Sequence, residues 1–198
     1  MAINLQKGQR ISLEKEAGGA LSSVVMGLGW DVAQSGGGML KKLFGGGDGG
    51  GSIDLDASCL LFDAGKNLLD AVWFRQLQSK DGSIRHTGDN LTGEGEGDDE
   101  QIIVDLARVP AVVHSLVFTV NSFTGQDFSR VQNAFCRIVN QVNGKEIARY
   151  NLSAQGQHTA QVMAKLYRHD GGWKMHAIGE NGTGRTFQDL LPKILPHL

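Results

Sequence analysis

Apolar and polar residues alternate over short stretches along most of the chain, and glycine, asparagine and aspartate interrupt the pattern between them. A period of two is typical of β-strands that bury one face. We therefore predict strands near residues 3–5, 11–13, 22–31, 53–63, 67–77, 101–106, 115–123, 134–142, 146–152, 160–169 and 173–179. Many short strands joined by turn signals predict an all-β fold, a sandwich of two mainly antiparallel sheets.

Three further signals complete the predicted fold. Asn143-Gly144 separates two apolar strands, which predicts a hairpin with a type I′ turn. A second hairpin is expected across residues 170–172, and a third across residues 64–66. Close to the C-terminus the apolar spacing becomes helical, and Thr186 is a suitable cap; the residues concerned are Phe187, Leu190, Leu191, Ile194 and Leu195. The sandwich should therefore end in a short C-terminal helix.

The stretch from Asp81 to Glu100 departs from this pattern. It holds seven of the chain's 21 acidic residues, five glycines and a single cation, Arg85. Its low apolar content argues against a buried strand and its glycines against a helix, so we predict a loop of about 20 residues. Asn90 and Thr92 add neutral oxygens. Crowded oxygen ligands on a flexible backbone suit Ca²⁺ best, Mg²⁺ or Mn²⁺ less well, and Zn²⁺ poorly in the absence of clustered Cys or His.

More carboxylates occur at predicted strand ends. Asp54 and Asp56 are two residues apart and share one strand face, where they repel unless a positive charge intervenes. Asp31 ends the preceding strand. The acidic stretch is not an EF-hand, because a loop beginning at Asp89 would place Glu94 where that motif requires glycine. We expect these groups to meet around a cation at one edge of the sandwich; a merely solvated acidic loop is the alternative.

Composition narrows the functional classes. The chain has 198 residues and a net charge of −2, so no overall basic field favours nucleic acid. The start lacks an apolar signal core and no apolar run reaches the length of a membrane span, which predicts a soluble cytoplasmic protein. Cys59 and Cys136 each lie in an apolar run, where buried core residues are expected.

We expect one domain over residues 1–198, interrupted by a flexible glycine-rich insertion at about 34–52. Residues 39–44 of the insertion, MLKKLF, combine apolar and basic side chains. They suggest a contact with a partner or a peripheral association with a membrane, although six residues are too few to anchor firmly.

The alternative to a binding protein is an enzyme. Clustered carboxylates that hold two metal ions serve phosphoester hydrolysis, and His86 lies close enough in sequence to act as a base. A single histidine in a predicted loop is more often an ordinary surface residue, and the remaining histidines form no metal-binding spacing. Since no nucleophile–base pair is evident, we expect a protein without catalytic activity.

The segments Gly27–Asp31, Asp54–Ser58 and His86–Glu100 closely resemble the hallmarks of the TerD family, bacterial tellurium-resistance and stress proteins. The resemblance continues through 134–139, 148–150 and 166–169. It implies a calcium-binding β-sandwich that acts as a scaffold with other proteins of the family. It also implies a ligand set: Asp31, Asp54, Asp56, Asp89, Asn90, Asp98, Asp99 and Glu100. Capture of tellurium by the two thiols is disfavoured, because neither lies in a clearly basic surrounding.

Overall fold

A computed structural model describes residues 2–32, 54–88, 97–152 and 156–198, in which two six-stranded sheets pack face to face. The strands are β1 Ile3–Leu5, β2 Arg10–Ser12, β3 Ser23–Val32, β4 Leu55–Phe62, β5 Leu68–Val72, β6 Ile84–His86, β7 Glu100–Asp105, β8 Ser115–Ser122, β9 Val131–Asn140, β10 Glu146–Asn151, β11 Ala160–His169 and β12 Gly172–Gly182. The α-helices are α1 Leu13–Ala17 and α2 Phe187–Ile194, with 3₁₀ turns at Phe128–Arg130 and Leu195–His197. The glycine-rich insertion lies outside the described residues.

Each sheet mixes strands from both halves of the chain. The first, sheet A, has the order β1-β10-β9-β3-β7-β6, and the second, sheet B, has the order β2-β12-β11-β8-β4-β5. Only the pairing of β1 with β10 is parallel among the described strands. The predicted all-β sandwich of two mainly antiparallel sheets with a short C-terminal helix is confirmed.

The main core lies between the two sheets. Trp30 and Trp173 are buried there, as are both cysteines, which have no exposed surface. Burial raises the pKa of the Cys136 thiol to about 12 and that of Cys59 further still. These thiols are protonated core residues at neutral pH, as the sequence predicts.

A second, smaller core lies on the outer face of sheet B, where α2 packs. Phe187, Leu190 and Ile194 cover side chains of β4, β8, β11 and β12. The close approach requires glycine at 182, because a Cβ there would lie 2.4 Å from a methyl carbon of Leu190. The carboxylate of Asp189 accepts hydrogen bonds from the backbone N–H groups of residues 185 and 186 and so fixes the start of the helix.

One of the predicted hairpin turns differs from expectation. The β9–β10 hairpin is present, but only Gly144 has a positive φ, 69°, so the predicted type I′ turn at Asn143-Gly144 is wrong. The side chain of Asn140 accepts a hydrogen bond from the N–H of Val142 and ends β9 early, which leaves a longer loop between the strands. The two-residue turn with both φ angles positive occurs instead at Asp170 and Gly171, at 50° and 77°.

The N-terminal region and β5 also differ in detail. β1 and β2 belong to different sheets, so the turn between them carries the chain from one layer to the other. Leu13 starts helix α1 rather than ending a strand, because Ser12 accepts a hydrogen bond from the N–H of Lys15 and caps the helix. Strand β5 ends at Val72, since residues 73–76 form a tight turn.

Candidate metal centre

Three consecutive acidic residues at the start of β7 project in three different directions. Asp98 lies on the outer face of sheet A, against Gly27. Asp99 faces the backbone of β3. Glu100 enters the space between the sheets. One short segment therefore contacts the outer face, the edge and the interior of the sandwich at the same end.

Glu100 joins the two sheets. One of its carboxylate oxygens, Oε2, accepts a hydrogen bond of 2.6 Å from the N–H of Ala57 on β4 and lies 3.5 Å from Nε2 of His86. The side chains of Glu100 and His86 have no exposed surface. Since β7 belongs to sheet A and β4 to sheet B, this buried contact closes the end of the sandwich.

The expectation that His86 is an exposed loop residue is wrong. Ile84–His86 forms the short strand β6, which pairs with β7 and places His86 opposite Ile102. Nδ1 of His86 accepts a hydrogen bond from the N–H of Gly88, and Nε2 faces Glu100. Strand β6 is difficult to predict, because three residues inside a glycine-rich acidic stretch give only a weak alternation of apolar and polar positions. In the structure Ile84 and His86 are buried, and the arginine between them is exposed.

Asp99 is attached to β3 by two backbone hydrogen bonds. Its carboxylate accepts from the N–H of Trp30 at 2.8 Å, and its own N–H donates to the carbonyl of Leu28 at 2.8 Å. Burial raises the pKa of Asp99, the hydrogen bond from Trp30 opposes that change, and the charges of Asp31 and Asp98 raise the pKa further. The carboxylate therefore lies in a partly desolvated, negatively charged environment.

Asp31 is positioned by an irregularity between β3 and β9. The strand register shifts between Gly29 and Asp31, which turns the end of β3. Asn133 on β9 has a positive φ of 51° and donates a hydrogen bond of 2.7 Å from its amide to the exposed carboxylate of Asp31. The structure thus brings Asp31 into the electrostatic neighbourhood of Asp99.

Asp54 and Asp56 lie on the sheet B side of the same end. Asp54 is half-buried and Asp56 is only 5% exposed, so neither extends freely into solvent. Asp56 is directly opposite Asn121 on β8. Both amide atoms of Asn121 are buried, and neither has a hydrogen-bond partner among the described residues. Sequence reasoning missed Asn121, although a lone amide inside an apolar strand is a usable signal.

The predicted ligands therefore form two groups. Asp31, Asp98 and Asp99 lie near the end of β3, and Asp54 and Asp56 lie at the start of β4, where Glu100 contacts Ala57. Asp89 and Asn90 lie outside the described residues. Within the described part of the chain, no three His, Cys, Asp or Glu side chains close around a single point.

The donor chemistry nevertheless fits a hard cation. The two groups offer carboxylate oxygens, and the orphaned amide of Asn121 adds a neutral oxygen. The charges of Asp31 and Asp98 act on the half-buried Asp99, and the guanidinium of Arg137 pairs with Asp98. The assignment of individual residues as metal ligands stays a prediction.

Comparison with known proteins identifies the family of this chain. The TerD domain family matches residues 1–193. The chain is 52% identical over 188 residues to the tellurium resistance protein TerZ of Serratia marcescens, covering 95% of this chain and 94% of that protein. It is 45% identical over 200 residues to the stress response protein SCP2 of Bacillus subtilis, covering 98% and 99% of the two chains.

Solved structures share the fold. A crystal structure of a homologue of telluride resistance protein (TerD) from Streptomyces coelicolor superposes with a TM-score of 0.68 at 17% identity, covering 89% of this chain and 98% of that chain. The family match and the sequence relatives place this two-sheet sandwich in the tellurium-resistance and stress-response class. The chain belongs to the TerD family. None of its described helices has the length and apolar character needed to span a membrane.

Proposed function

We propose that this protein is a non-catalytic, calcium-binding stress-response protein in which Ca²⁺ orders the acidic end of the sandwich for scaffold or partner binding. Asp31 and Asp99 would hold the ion from the sheet A side, and Asp54 and Asp56 would contribute from the sheet B side. Asp89 and Asn90 are further members of the predicted set, and Asn121 is an additional candidate. The bound ion would supply positive charge and link segments that are distant in sequence.

The environment of Asp99 carries this proposal. Its carboxylate is partly buried beside two other carboxylates, and burial and both neighbouring charges disfavour its ionised form. A divalent cation removes that penalty, because it favours the ionised form and attracts all three groups. Calcium suits the site better than magnesium, because a mixture of carboxylate and amide oxygens on several segments matches its flexible coordination.

The surroundings of His86 support the absence of catalysis. Both ring nitrogens face protein groups, Gly88 and Glu100, and the side chain has no exposed surface. A general base must reach a substrate or a water molecule, so His86 is a poor candidate in this arrangement. Hydrolysis of generic phosphodiesters with Mn²⁺, with Asp54→Asn as a control, tests the alternative of a metal-dependent phosphoester hydrolase.

Calcium titration by isothermal calorimetry tests the proposal. The wild-type protein should bind Ca²⁺ with a measurable heat and should bind Mg²⁺ more weakly, while Asp99→Asn should weaken calcium binding at least tenfold. Asp170→Asn is a matched control, because this exposed turn residue undergoes the same chemical change away from the site. Absence of calcium binding by the wild-type protein would refute the proposal.

Binding of a partner is the second part of the proposed function. Other proteins of the family and a peripheral contact with the membrane are the candidates, in a cytoplasmic setting. Pull-down experiments with and without Ca²⁺ test the scaffold role, since a calcium-ordered surface should retain its partner only when the ion is present. Equal recovery in Ca²⁺ and in EDTA would argue against regulation by calcium.

A further inference from the structure

A chain of ion pairs crosses the outer face of sheet A and ends at Asp98. Residues 98–100 are called the acidic segment below. Arg137 on β9 binds both carboxylate oxygens of Asp98, from Nε at 2.7 Å and from Nη2 at 3.1 Å. Its remaining nitrogen, Nη1, donates to Glu146 at 3.0 Å. Arg149 then binds both oxygens of Glu146 at 3.1 Å. Every guanidinium nitrogen of Arg137 is thus used to connect Asp98 to β10.

The strand register explains why these groups meet. Arg149, Arg137, Gly27 and Gln101 are successive cross-strand neighbours on β10, β9, β3 and β7. Because cross-strand partners share a sheet face, the absence of a side chain at Gly27 leaves a gap between Arg137 and Gln101. The carboxylate of Asp98 fills this gap, and it also accepts a hydrogen bond of 3.1 Å from the amide of Gln101.

The gap has little spare room. A Cβ at Gly27 would lie 2.2 Å from Oδ2 of Asp98, so even alanine would displace the carboxylate. Gly29 has the same effect farther along β3, where a Cβ would collide with the ring of Phe135 and the carbonyl of Gly97. The guanidinium of Arg149 stacks 4.0 Å from the centre of the same Phe135 ring. The two glycines thus let the acidic segment lie flat on the sheet.

We propose that Asp98 anchors the acidic segment to sheet A instead of coordinating the cation, and that Arg137 is the positioning residue that sets cation affinity through this anchor. The proposal rests on the proposed calcium-binding function. Asp98 has both oxygens engaged by Arg137 and a side chain only 1% exposed, so its carboxylate is already bound within the protein. Holding Asp98 fixes the backbone that carries Asp99, and a preformed ligand loses less conformational freedom on binding.

The two roles for Asp98 predict effects of opposite sign when Arg137 is replaced. If Asp98 is a ligand, Arg137 competes with the cation for its carboxylate, and Arg137→Gln should leave affinity unchanged or increase it. If Asp98 is an anchor, the same substitution releases the segment and should weaken calcium binding at least tenfold. Asp98→Asn should then weaken binding to a similar extent, and the double substitution should be no worse than either single one.

Calorimetric titration with CaCl₂ tests this prediction on the full chain. Arg137→Lys keeps the charge but loses the two-pronged contact, so its affinity should lie between those of the wild type and Arg137→Gln. Gly27→Ala displaces Asp98 without changing any charge and should also weaken binding. Arg85→Gln is the matched control, because Arg85 lies on β6 of the same sheet and its loss should change affinity less than twofold.

Amide hydrogen exchange in EDTA provides a readout that needs no calcium. The amides of Trp30 and Asp99 form the hydrogen bonds that hold the segment to β3, so Arg137→Gln should accelerate their exchange while distant β8 amides keep their protection. Unchanged exchange at both amides, or calcium binding that is equal or tighter in folded Arg137→Gln, would overturn the anchor. A wild-type protein that binds no calcium would refute the proposed function but leave the exchange test of the anchor valid.

Discussion

Two clusters of like charge lie on different regions of this sandwich, and they are compensated in different ways. Arg10, His176 and Lys165 are side by side on β2, β12 and β11 of sheet B. Asp31, Asp98 and Asp99 lie together at the end of β3 in sheet A. Each arrangement brings groups of the same charge type close together, which costs stability unless other groups intervene.

The basic cluster is compensated by the protein itself. The ammonium group of Lys165 donates to the carbonyl of His197, and nearby Lys66 donates to that of Leu195 at 3.2 Å, so both cations meet the carbonyl end of the C-terminal helical segment. Burial, followed by the charges of Arg10, Lys165 and His197, lowers the pKa of His176 to about 4. His176 is therefore neutral at pH 7.

The acidic cluster contacts a different set of groups. Arg137 neutralises Asp98, but Asp31 and Asp99 receive hydrogen bonds from the neutral donors Asn133 and Trp30. The basic cluster is held against the C-terminal helical segment, whereas the acidic cluster is the region where the proposed cation would bind. Three substitutions test this contrast, and they are given in order of decreasing effect.

Glu100→Ala should have the largest effect on stability. It removes the acceptor for the N–H of Ala57 and leaves His86 without its buried partner, at the point where the two sheets are joined. Loss of one member of a buried polar contact typically costs about 3 kcal/mol. Urea denaturation in EDTA measures this change without a contribution from bound metal. A loss below about 1 kcal/mol would show that Glu100 does not brace the sheets.

His176→Gln should remove a pH dependence that belongs to the basic cluster. The folded-state pKa of about 4 lies below the usual value of about 6.5, so the unfolded chain binds the proton first as pH falls. The contribution of neutral His176 to the free energy of unfolding is complete above pH 6.5 and is lost as the pH falls from 6.5 to 4. The wild-type protein should lose about 2 kcal/mol more than the variant over this window.

Urea denaturation at about pH 7 and about pH 4.5 measures that difference, with His169→Gln as a control because His169 is partly exposed. Glu180, which contacts His197, is present in both proteins. Its effect on the pH dependence of stability is therefore the same in both and cancels in the difference. An equal loss of stability in the wild type and His176→Gln would contradict the assignment.

Lys66→Ala should have the smallest effect. Lys66 is exposed and contributes one contact with the carbonyl of Leu195, so its removal should cost about 0.5 kcal/mol or less. Calcium affinity should not change, because this residue lies in the β4–β5 turn of sheet B. A change in calcium affinity above twofold would show that the two clusters are coupled.

The alternation of apolar residues predicts most of this fold because a strand with one buried face leaves a periodic record in the sequence. Short elements leave too few residues for any period, so the pattern does not predict α1 and β6. The predicted turn type at Asn143-Gly144 is wrong because the side chain of Asn140 ends its strand first. Local turn chemistry can therefore override the strongest dipeptide signal.

The candidate site is predictable in its residue types but not in its geometry. Sequence reasoning places Asp98, Asp99 and Glu100 in one ligand set, because adjacent acids are equivalent in a sequence. The structure separates them, since Gly27 admits Asp98 to the outer face while the pairing of β7 directs Glu100 inward. The burial of His86 and Asn121 escapes prediction for a similar reason, because burial of a polar residue depends on strands that are distant in sequence.

Calorimetric melting of the wild-type protein in EDTA and in excess CaCl₂ shows whether a divalent cation stabilises the acidic end. At free calcium near 100 times Kd, binding to the folded state contributes about 2.7 kcal/mol, which should raise the melting midpoint by roughly 5–10 °C for a chain of this size. Asp99→Asn should lose most of this increase, and Asp170→Asn should keep it. Identical midpoints of the wild-type protein in EDTA and in calcium would contradict the stabilising role of the ion.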